Sequence, residues 1–127
     1  MAMTNPEVWL GDDGIMRVDY SRCQGITLAT YKSSYEQRLK ISRDRLPVLL
    51  VGKRVGFVDH QALRFASSDE VCAITAALGM LAGSFLEKHL GQMFIAYHRP
   101  PYPTRMFDSE AEAVDWLKTF LKSPGSE

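Results

Sequence analysis

The chain has 127 residues, of which 46% are hydrophobic, so it is long enough for one domain with a single core and too short for two. Its 15 Lys and Arg residues balance its 15 Asp and Glu residues. Because nucleic-acid-binding domains usually carry a basic excess or a basic stripe, this balance argues against a nucleic-acid partner.

The start of the chain lacks the basic-then-apolar order of a signal peptide, and no apolar run approaches the ~20 residues that span a bilayer. We therefore expect a cytoplasmic protein without a membrane span. Cys23 and Cys72 lie far apart and fit neither a disulfide framework nor a metal site, and Cys72 is interpreted as a small buried hydrophobe. The densest basic stretch, 38–45, is interpreted as a solvated helix end, with phosphate or lipid-headgroup binding as the alternative.

The first half of the chain predicts a hairpin, a helix and a buried strand. An Asp-Gly turn separates two strand-like runs, 7–10 and 15–20, which is typical of an antiparallel hairpin. A helix is predicted over about 27–43, because Leu28, Tyr31, Tyr35 and Leu39 recur at helical spacing. After Pro47, the run Val48-Leu49-Leu50-Val51 predicts a strand buried on both faces, as in a parallel sheet.

A short apolar run, 55–58, leads to a predicted helix over 60–66 that Asp59 caps. Ser67 and Glu70 are spaced as a capping box, and the residues behind them predict a second helix that reaches to about Leu81. A further short helix is expected over 84–90, ending at Gly91, and a doubly buried strand over 93–97.

The last third of the chain predicts a loop and a helix. The segment 99–107 is interpreted as a loop, because its prolines remove hydrogen-bond donors and fix φ. A second capping box, Ser109 with Glu112, begins the last helix, whose apolar stripe contains Leu117. After the hairpin, strands and helices alternate, which requires right-handed crossovers and a parallel portion of sheet.

The joint order of several segments resembles the STAS, or SpoIIAA-like, anti-sigma-factor-antagonist fold, and most of all a group of uncharacterised bacterial STAS-like proteins. The segments that carry this resemblance are Trp9-Leu10 and Gly14-Ile15, 47–51, 59–66, 90–94, Arg99-Pro100, 102–107 and 113–117. The resemblance implies an α/β fold: a mixed sheet opened by an N-terminal antiparallel hairpin, with helices packed against it. It also implies a single STAS-like domain over 1–127, with 1–6 and 123–127 frayed, that acts in protein–protein signalling.

Regulated members of that fold family carry a phosphorylated serine at the start of the helix that follows an aspartate turn. Asp59 matches the aspartate, but His60 and Gln61 stand where the hydroxyl residues would be. The phospho-acceptor serine is therefore absent, which puts the kinase switch of that family in doubt for this chain.

Asp59 and His60 are also the pair that would suit general-base catalysis. The simpler interpretation makes Asp59 an N-cap acceptor and His60 an exposed residue of the first helical turn. Together with His89 and His98, the scattered histidines do not have the spacing of a zinc site. We expect no catalytic residues, no metal and no cofactor.

The segment 99–107 is interpreted first as a rigid connector and alternatively as a recognition surface, because Arg and aromatic side chains in a stiff frame lose little entropy on binding. The sequence thus predicts a non-catalytic protein-interaction or regulatory module, with a homodimer as one candidate assembly and an unknown protein partner. The residues predicted for its interaction surface are Asp59, His60, Gln61, Arg64, Arg99, Tyr102 and Arg105. The alternative is a small-ligand or lipid-binding module with a pocket between the 78–90 segment and the sheet, and the third hypothesis is an enzyme centred on Asp59 and His60.

Overall fold

The computed structural model of the chain describes residues 6–23, 25–52, 57–81, 92, 96 and 101–121. The strands are β1 (Glu7–Leu10), β2 (Met16–Asp19), β3 (Gly25–Ile26), β4 (Leu46–Val51), β5 (Phe57–Val58), β6 (Thr75–Leu81) and β7 (Thr104–Phe107). The helices with defined bounds are α1 (Leu28–Ile41), α2 (His60–Ala66), α3 (Asp69–Cys72) and α4 (Glu110–Lys118). Of the residues predicted to be frayed, 1–5 and 123–127 lie outside the described residues, as does the predicted helix 84–90. Pro6 was also predicted to be frayed, but it is buried and its carbonyl oxygen accepts a hydrogen bond from Gln37 Nε2 at 3.1 Å.

The main sheet has five strands in the order β1-β2-β4-β6-β7. Only the β1–β2 pair is antiparallel, and the other three pairs are parallel. A second, two-stranded parallel sheet joins β3 to β5. The predicted α/β class, with a mixed sheet opened by an antiparallel hairpin, is confirmed.

The opening hairpin turns on Asp13 and Gly14. Gly14 has φ +84°, a left-handed conformation that favours glycine. The Asp13 carboxylate accepts a hydrogen bond from the Ile15 backbone N–H at 3.1 Å and two more from the Arg17 guanidinium, both at 2.9 Å. The turn is therefore closed by side-chain bonds as well as by backbone bonds.

Helices cover both faces of the main sheet, and each face has its own core. The core between the sheet and helices α1 and α2 contains Val18, Val48 and Leu78 from the strands and Ala62 and Ala66 from α2. Beneath α4, the buried residues are Ile15, Leu49, Ala77, Ala113 and Leu117. The alternation along β2 and β4 explains this division, because successive side chains of a strand point to opposite faces.

The predicted position of α1 is confirmed, and the structure shows Thr27 as its N-cap. The prediction that the basic residues at its C-terminal end are solvated is wrong for Arg38. The Thr27 hydroxyl accepts a hydrogen bond from the Thr30 backbone N–H at 3.1 Å. Arg38 was expected in a solvated basic stretch, yet it is only 5% exposed. Arg38 follows Tyr31 by seven positions and Tyr35 by three, so it lies on the same helix face and is carried into the core with them.

The predicted helix after Ser67 is wrong. The capping residue is Ser68 rather than Ser67, α3 has only four residues, and the chain then forms β6, an interior strand of the main sheet. Most of β6 is buried because it lies between two strands and beneath helices on both faces. A strand that is apolar at nearly every position also satisfies helical spacing, so the periodicity was ambiguous.

Of two further predictions in the last third of the chain, one is wrong and the other falls mostly outside the described residues. The predicted loop 99–107 contains β7, which pairs in parallel with β6 from Leu78↔Thr104 to Leu81↔Phe107. Of the predicted strand 93–97, the structure describes only Ala96, which is helical and exposed. The last proline of this segment is Pro103, so every residue of β7 keeps its backbone N–H donor.

The predictions for β4, α2 and the last helix are confirmed. The Ser109 hydroxyl accepts a hydrogen bond from the Glu112 backbone N–H at 3.4 Å, at the start of α4. No helix in the part of the chain that the structure describes is both long and apolar enough to cross a membrane.

Candidate functional site

Asp59 closes the N-terminus of α2. Its backbone is extended, and its carboxylate accepts a hydrogen bond from the Gln61 backbone N–H at 3.4 Å. The Asp59 backbone N–H donates to the Ile26 carbonyl oxygen at 2.8 Å, which ties the start of α2 to β3. This geometry assigns Asp59 to capping and anchoring.

Phe57, His60, Gln61 and Arg64 are exposed within one short stretch, which we call the α2 surface. The helix buries its opposite face through Ala62 and Ala66. Phe57 is 52% exposed, the highest value among the exposed large hydrophobic residues. Phe57 does not stand out in the sequence, because it lies in a short apolar run, 55–58. In the structure, β5 is two residues long and pairs with β3 in a two-stranded sheet.

The ring of Phe57 lies against Gly25 of β3. A Cβ atom built on Gly25 would overlap the ring, so glycine is the residue that permits this close approach. The contact fixes one side of the ring and leaves the other toward solvent. Phe57 is thus an exposed aromatic group on a supported backbone.

The other residues predicted for the interaction surface do not join the α2 surface. Tyr102 is 3% exposed, and its hydroxyl donates to the Ala66 carbonyl oxygen at 2.6 Å, so it belongs to the interior. Arg105 lies on β7 with its guanidinium 5.2 Å from the Phe107 ring centroid and 5.6 Å from that of Trp116, on the face that α4 covers. Arg99, like His89 and His98, lies outside the described residues.

A second region of chemical interest lies beneath α1, around Arg38. Its Nη2 donates to the Ile74 carbonyl oxygen at 2.7 Å and to the Thr75 hydroxyl oxygen at 3.1 Å. Its Nε is buried and has no hydrogen-bond partner. Desolvation lowers the pKa of Arg38 below its ordinary value, and no described carboxylate forms an ion pair with it.

Tyrosines surround this guanidinium, and burial keeps them neutral. Burial raises the pKa of Tyr31 to about 12, and it raises the pKa values of Tyr20 and Tyr102 further. The phenols therefore remain protonated at neutral pH and supply no negative charge to Arg38.

The described residues around Arg38 line a small cavity. The space open to the centre of a water molecule there is about 10 Å³, which is room for about one water molecule. The lining residues are Val18, Tyr20, Tyr31, Ser34, Tyr35, Arg38, Val48, Leu50, Thr75, Leu78 and Tyr102. The ligand pocket predicted between segment 78–90 and the sheet is wrong for Leu78–Leu81, because these residues belong to the sheet itself, and residues 82–90 lie outside the described residues.

Within the described ranges, no group of three or more His, Cys, Asp or Glu side chains is placed to hold a metal ion. Cys23 is buried, Cys72 is partly buried, and these two described cysteines are not joined in a disulfide. Desolvation is the main cause that raises the pKa of each thiol, which disfavours the reactive thiolate.

Comparison with curated proteins gives no match. Among solved structures, the chain is similar to an uncharacterised protein of the DUF3478 family with a SpoIIAA-like fold from Shewanella loihica PV-4, at 12% identity and a TM-score of 0.57. That match covers 92% of this chain and 98% of the other, and it shows that the fold is SpoIIAA-like. A protein of unknown function from Arthrobacter sp. FB24 matches at 25% identity over 87% of this chain and 97% of the other, with a TM-score of 0.30.

A family model matches nearly the whole described chain. The match runs over residues 8–121, from β1 to the residues just after α4. The chain therefore belongs to the DUF7793 family, described as a domain of unknown function.

Proposed function

We propose that the chain is a non-catalytic protein-interaction module that contacts its partner through the α2 surface. The observation that supports this proposal is Phe57, which is 52% exposed beside the exposed polar side chains of His60, Gln61 and Arg64. An aromatic group with a polar rim is the usual composition of a contact centre, and Arg and aromatic residues are enriched among the residues that dominate binding energy.

The chemistry of the α2 surface indicates what the partner offers. Phe57 requires an apolar pocket, and Arg64 requires a carboxylate nearby. Asp59 is used at the helix N-terminus, where its carboxylate accepts a hydrogen bond from the Gln61 backbone N–H. We therefore propose a protein partner with an apolar pocket that is flanked by acidic side chains, encountered in the cytoplasm.

We propose no phosphorylation switch at the start of α2. Residues 58–66 contain no serine or threonine, so the α2 surface offers no hydroxyl acceptor at the position that regulated SpoIIAA-like proteins use. A second copy of the chain is one candidate partner, in which case the contact would be isologous. Arg105, held against Phe107 and Trp116 on the other face of the sheet, belongs to a different surface.

A small-ligand or lipid-binding role is the alternative. The cavity around Arg38 has room for about one water molecule, which does not favour a lipid there. Native mass spectrometry separates the two functions, because a co-purifying small molecule supports the alternative.

Site-specific photo-crosslinking tests the proposal directly. We expect p-benzoylphenylalanine at position 57 to yield a defined protein adduct in cells that express the chain at its native level. The matched control places the same group at Ala111, which is exposed on α4, and should not give that adduct. Adducts of equal mass and yield from both positions, or none from position 57, would contradict the assignment of the α2 surface.

A further inference from the structure

We propose that the cavity beneath α1 is a binding site for one monatomic anion of the size of chloride, which accepts a hydrogen bond from Arg38 Nε. The site is defined by Arg38, Tyr20, Tyr31, Tyr35 and Thr75, which all line the cavity. It is independent of the α2 surface and of the function proposed for it.

The charge of Arg38 provides the first argument. The side chain is 5% exposed, and a buried charge is costly unless a charge of opposite sign or enough hydrogen bonds compensate it. Its described bonds go to the Ile74 carbonyl oxygen and the Thr75 hydroxyl, which are both neutral groups. The tyrosines around it are neutral as well, so an anion in the cavity would balance the charge.

The hydrogen-bond directions provide the second argument. Ser34 donates its single hydroxyl proton to the Tyr31 carbonyl oxygen at 2.7 Å, so Tyr20 is the donor in its 2.7 Å bond to Ser34. Tyr102 donates its hydroxyl proton to the Ala66 carbonyl oxygen at 2.6 Å. The hydroxyl protons of Tyr20 and Tyr102 are in use, and Arg38 Nε–H is a buried donor without an acceptor.

The size of the cavity selects the ligand class. Room for about one water molecule excludes a phosphate or an organic carboxylate, so a monatomic ion is the anion class closest to this size. A water molecule would also accept the Nε–H bond, but it would leave the positive charge of Arg38 unbalanced. A halide satisfies the donor and the charge together.

Crystallography with bromide tests the site without any substitution. Crystals of the full chain, soaked in or grown from sodium bromide, should give an anomalous difference peak within hydrogen-bond distance of Arg38 Nε. A water molecule without anomalous signal at that place, or bromide only at other places, would overturn the proposal.

Thermal unfolding tests the same site in solution. When chloride replaces gluconate at constant ionic strength and pH, the Tm should rise by at least about 2 °C, because a ligand that binds only the folded state stabilises it. Arg38→Met should remove this anion dependence, whereas Arg45→Met, which changes an exposed arginine that also contacts Thr75, should keep it. A Tm of the parent chain that does not depend on the anion, or one that depends on it equally in both variants, would overturn the proposal, and the bromide experiment applies even if Arg38→Met does not fold.

Discussion

Arg38 in α1 and Ile74 just before β6 are joined by a 2.7 Å hydrogen bond from the guanidinium to the backbone carbonyl, across 36 positions of the chain. The same Nη2 reaches the Thr75 hydroxyl oxygen at the first residue of β6. These bonds fix the C-terminal half of α1 over the start of β6. A buried polar contact of this kind specifies where the helix lies on the sheet, which apolar contacts alone define less sharply.

Arg38→Ala is expected to lower the free energy of unfolding by about 2–4 kcal/mol, because the Ile74 carbonyl and the Thr75 hydroxyl lose their partner and a cavity forms. Urea unfolding measures this loss. Lys40→Ala is the matched control, since Lys40 is an exposed basic residue of the same helix turn and should change the stability by less than about 0.5 kcal/mol. Equal effects of the two substitutions would show that Arg38 is not buried against β6.

The pair of Asp13 and Arg17 in the hairpin turn should make the stability of the protein depend on pH. The Arg17 guanidinium, as the main cause, lowers the pKa of Asp13 from 3.8 to about 2. A carboxyl whose folded pKa is depressed stabilises the fold above its unfolded pKa, and this contribution is lost as the pH falls from about 4 through about 2.

Asp13→Asn should therefore destabilise the protein by about 1–2 kcal/mol at pH 6, with the difference from the parent shrinking below pH 4. Chemical denaturation at a series of pH values measures this difference. Asp12→Asn, at the exposed neighbouring position, is the control and should show no comparable trend. A difference between Asp13→Asn and the parent that stays constant down to pH 2 would contradict the role of the Asp13–Arg17 pair.

Leu117 anchors α4 on the sheet. It is 0% exposed, and its Cδ1 lies 3.1 Å from the place where a Cβ on Gly79 would stand. In urea unfolding, Leu117→Ala should lower the free energy of unfolding by about 2–5 kcal/mol. Asp115→Ala, at an exposed position of the same helix, is the control and should lower it by less than about 0.5 kcal/mol.

The contact between Leu117 and Gly79 predicts coupling between the two positions. Gly79→Ala should be less destabilising in the Leu117→Ala background than in the parent, because the shortened side chain leaves room for the new methyl group. A double-mutant cycle by urea unfolding measures this coupling. Strict additivity would show that the two residues do not compete for the same space.

Substitutions of Asp59 and of His60 should destabilise the protein to different extents. Asp59→Ala is expected to cost about 0.5–2 kcal/mol, because the α2 N-terminus loses its side-chain acceptor. His60→Ala, at an exposed position of the first turn, should cost less than Asp59→Ala. If thermal unfolding showed the larger loss in His60→Ala, the capping role assigned to Asp59 would be wrong.

The parts of the fold that the sequence predicts are those with local signals. The Asp-Gly turn, the Thr27-capped helix, the aliphatic run of β4 and the Ser109 cap each depend on residues near one another in the chain. β6 lacks such a signal, because its burial on both faces removes the alternation that marks a strand. β7 follows a proline-rich stretch, which suggested a loop for residues that in fact have free backbone donors.

The candidate site shows the same limit. The capping role of Asp59 could be predicted, because it depends on the next two residues alone. The burial of Arg38 could not be predicted, because it depends on Ile74 and Thr75. These residues are distant in sequence and lie in a segment whose spacing predicts a helix. The exposure of Phe57 likewise depends on the two-stranded sheet that β5 forms with β3.

Quantitative affinity capture tests the central claim of a protein-interaction module most directly. Tagged parent chain, a Phe57→Ser/Arg64→Glu variant and an Ile41→Ser control, which changes another exposed hydrophobic residue, are each used to capture proteins from a lysate of the source cells. The account predicts a specific protein that the parent and the control retain equally and that the double variant loses by at least about tenfold, with a Tm close to that of the parent. Equal retention of every captured protein by the parent and the double variant would contradict the claim.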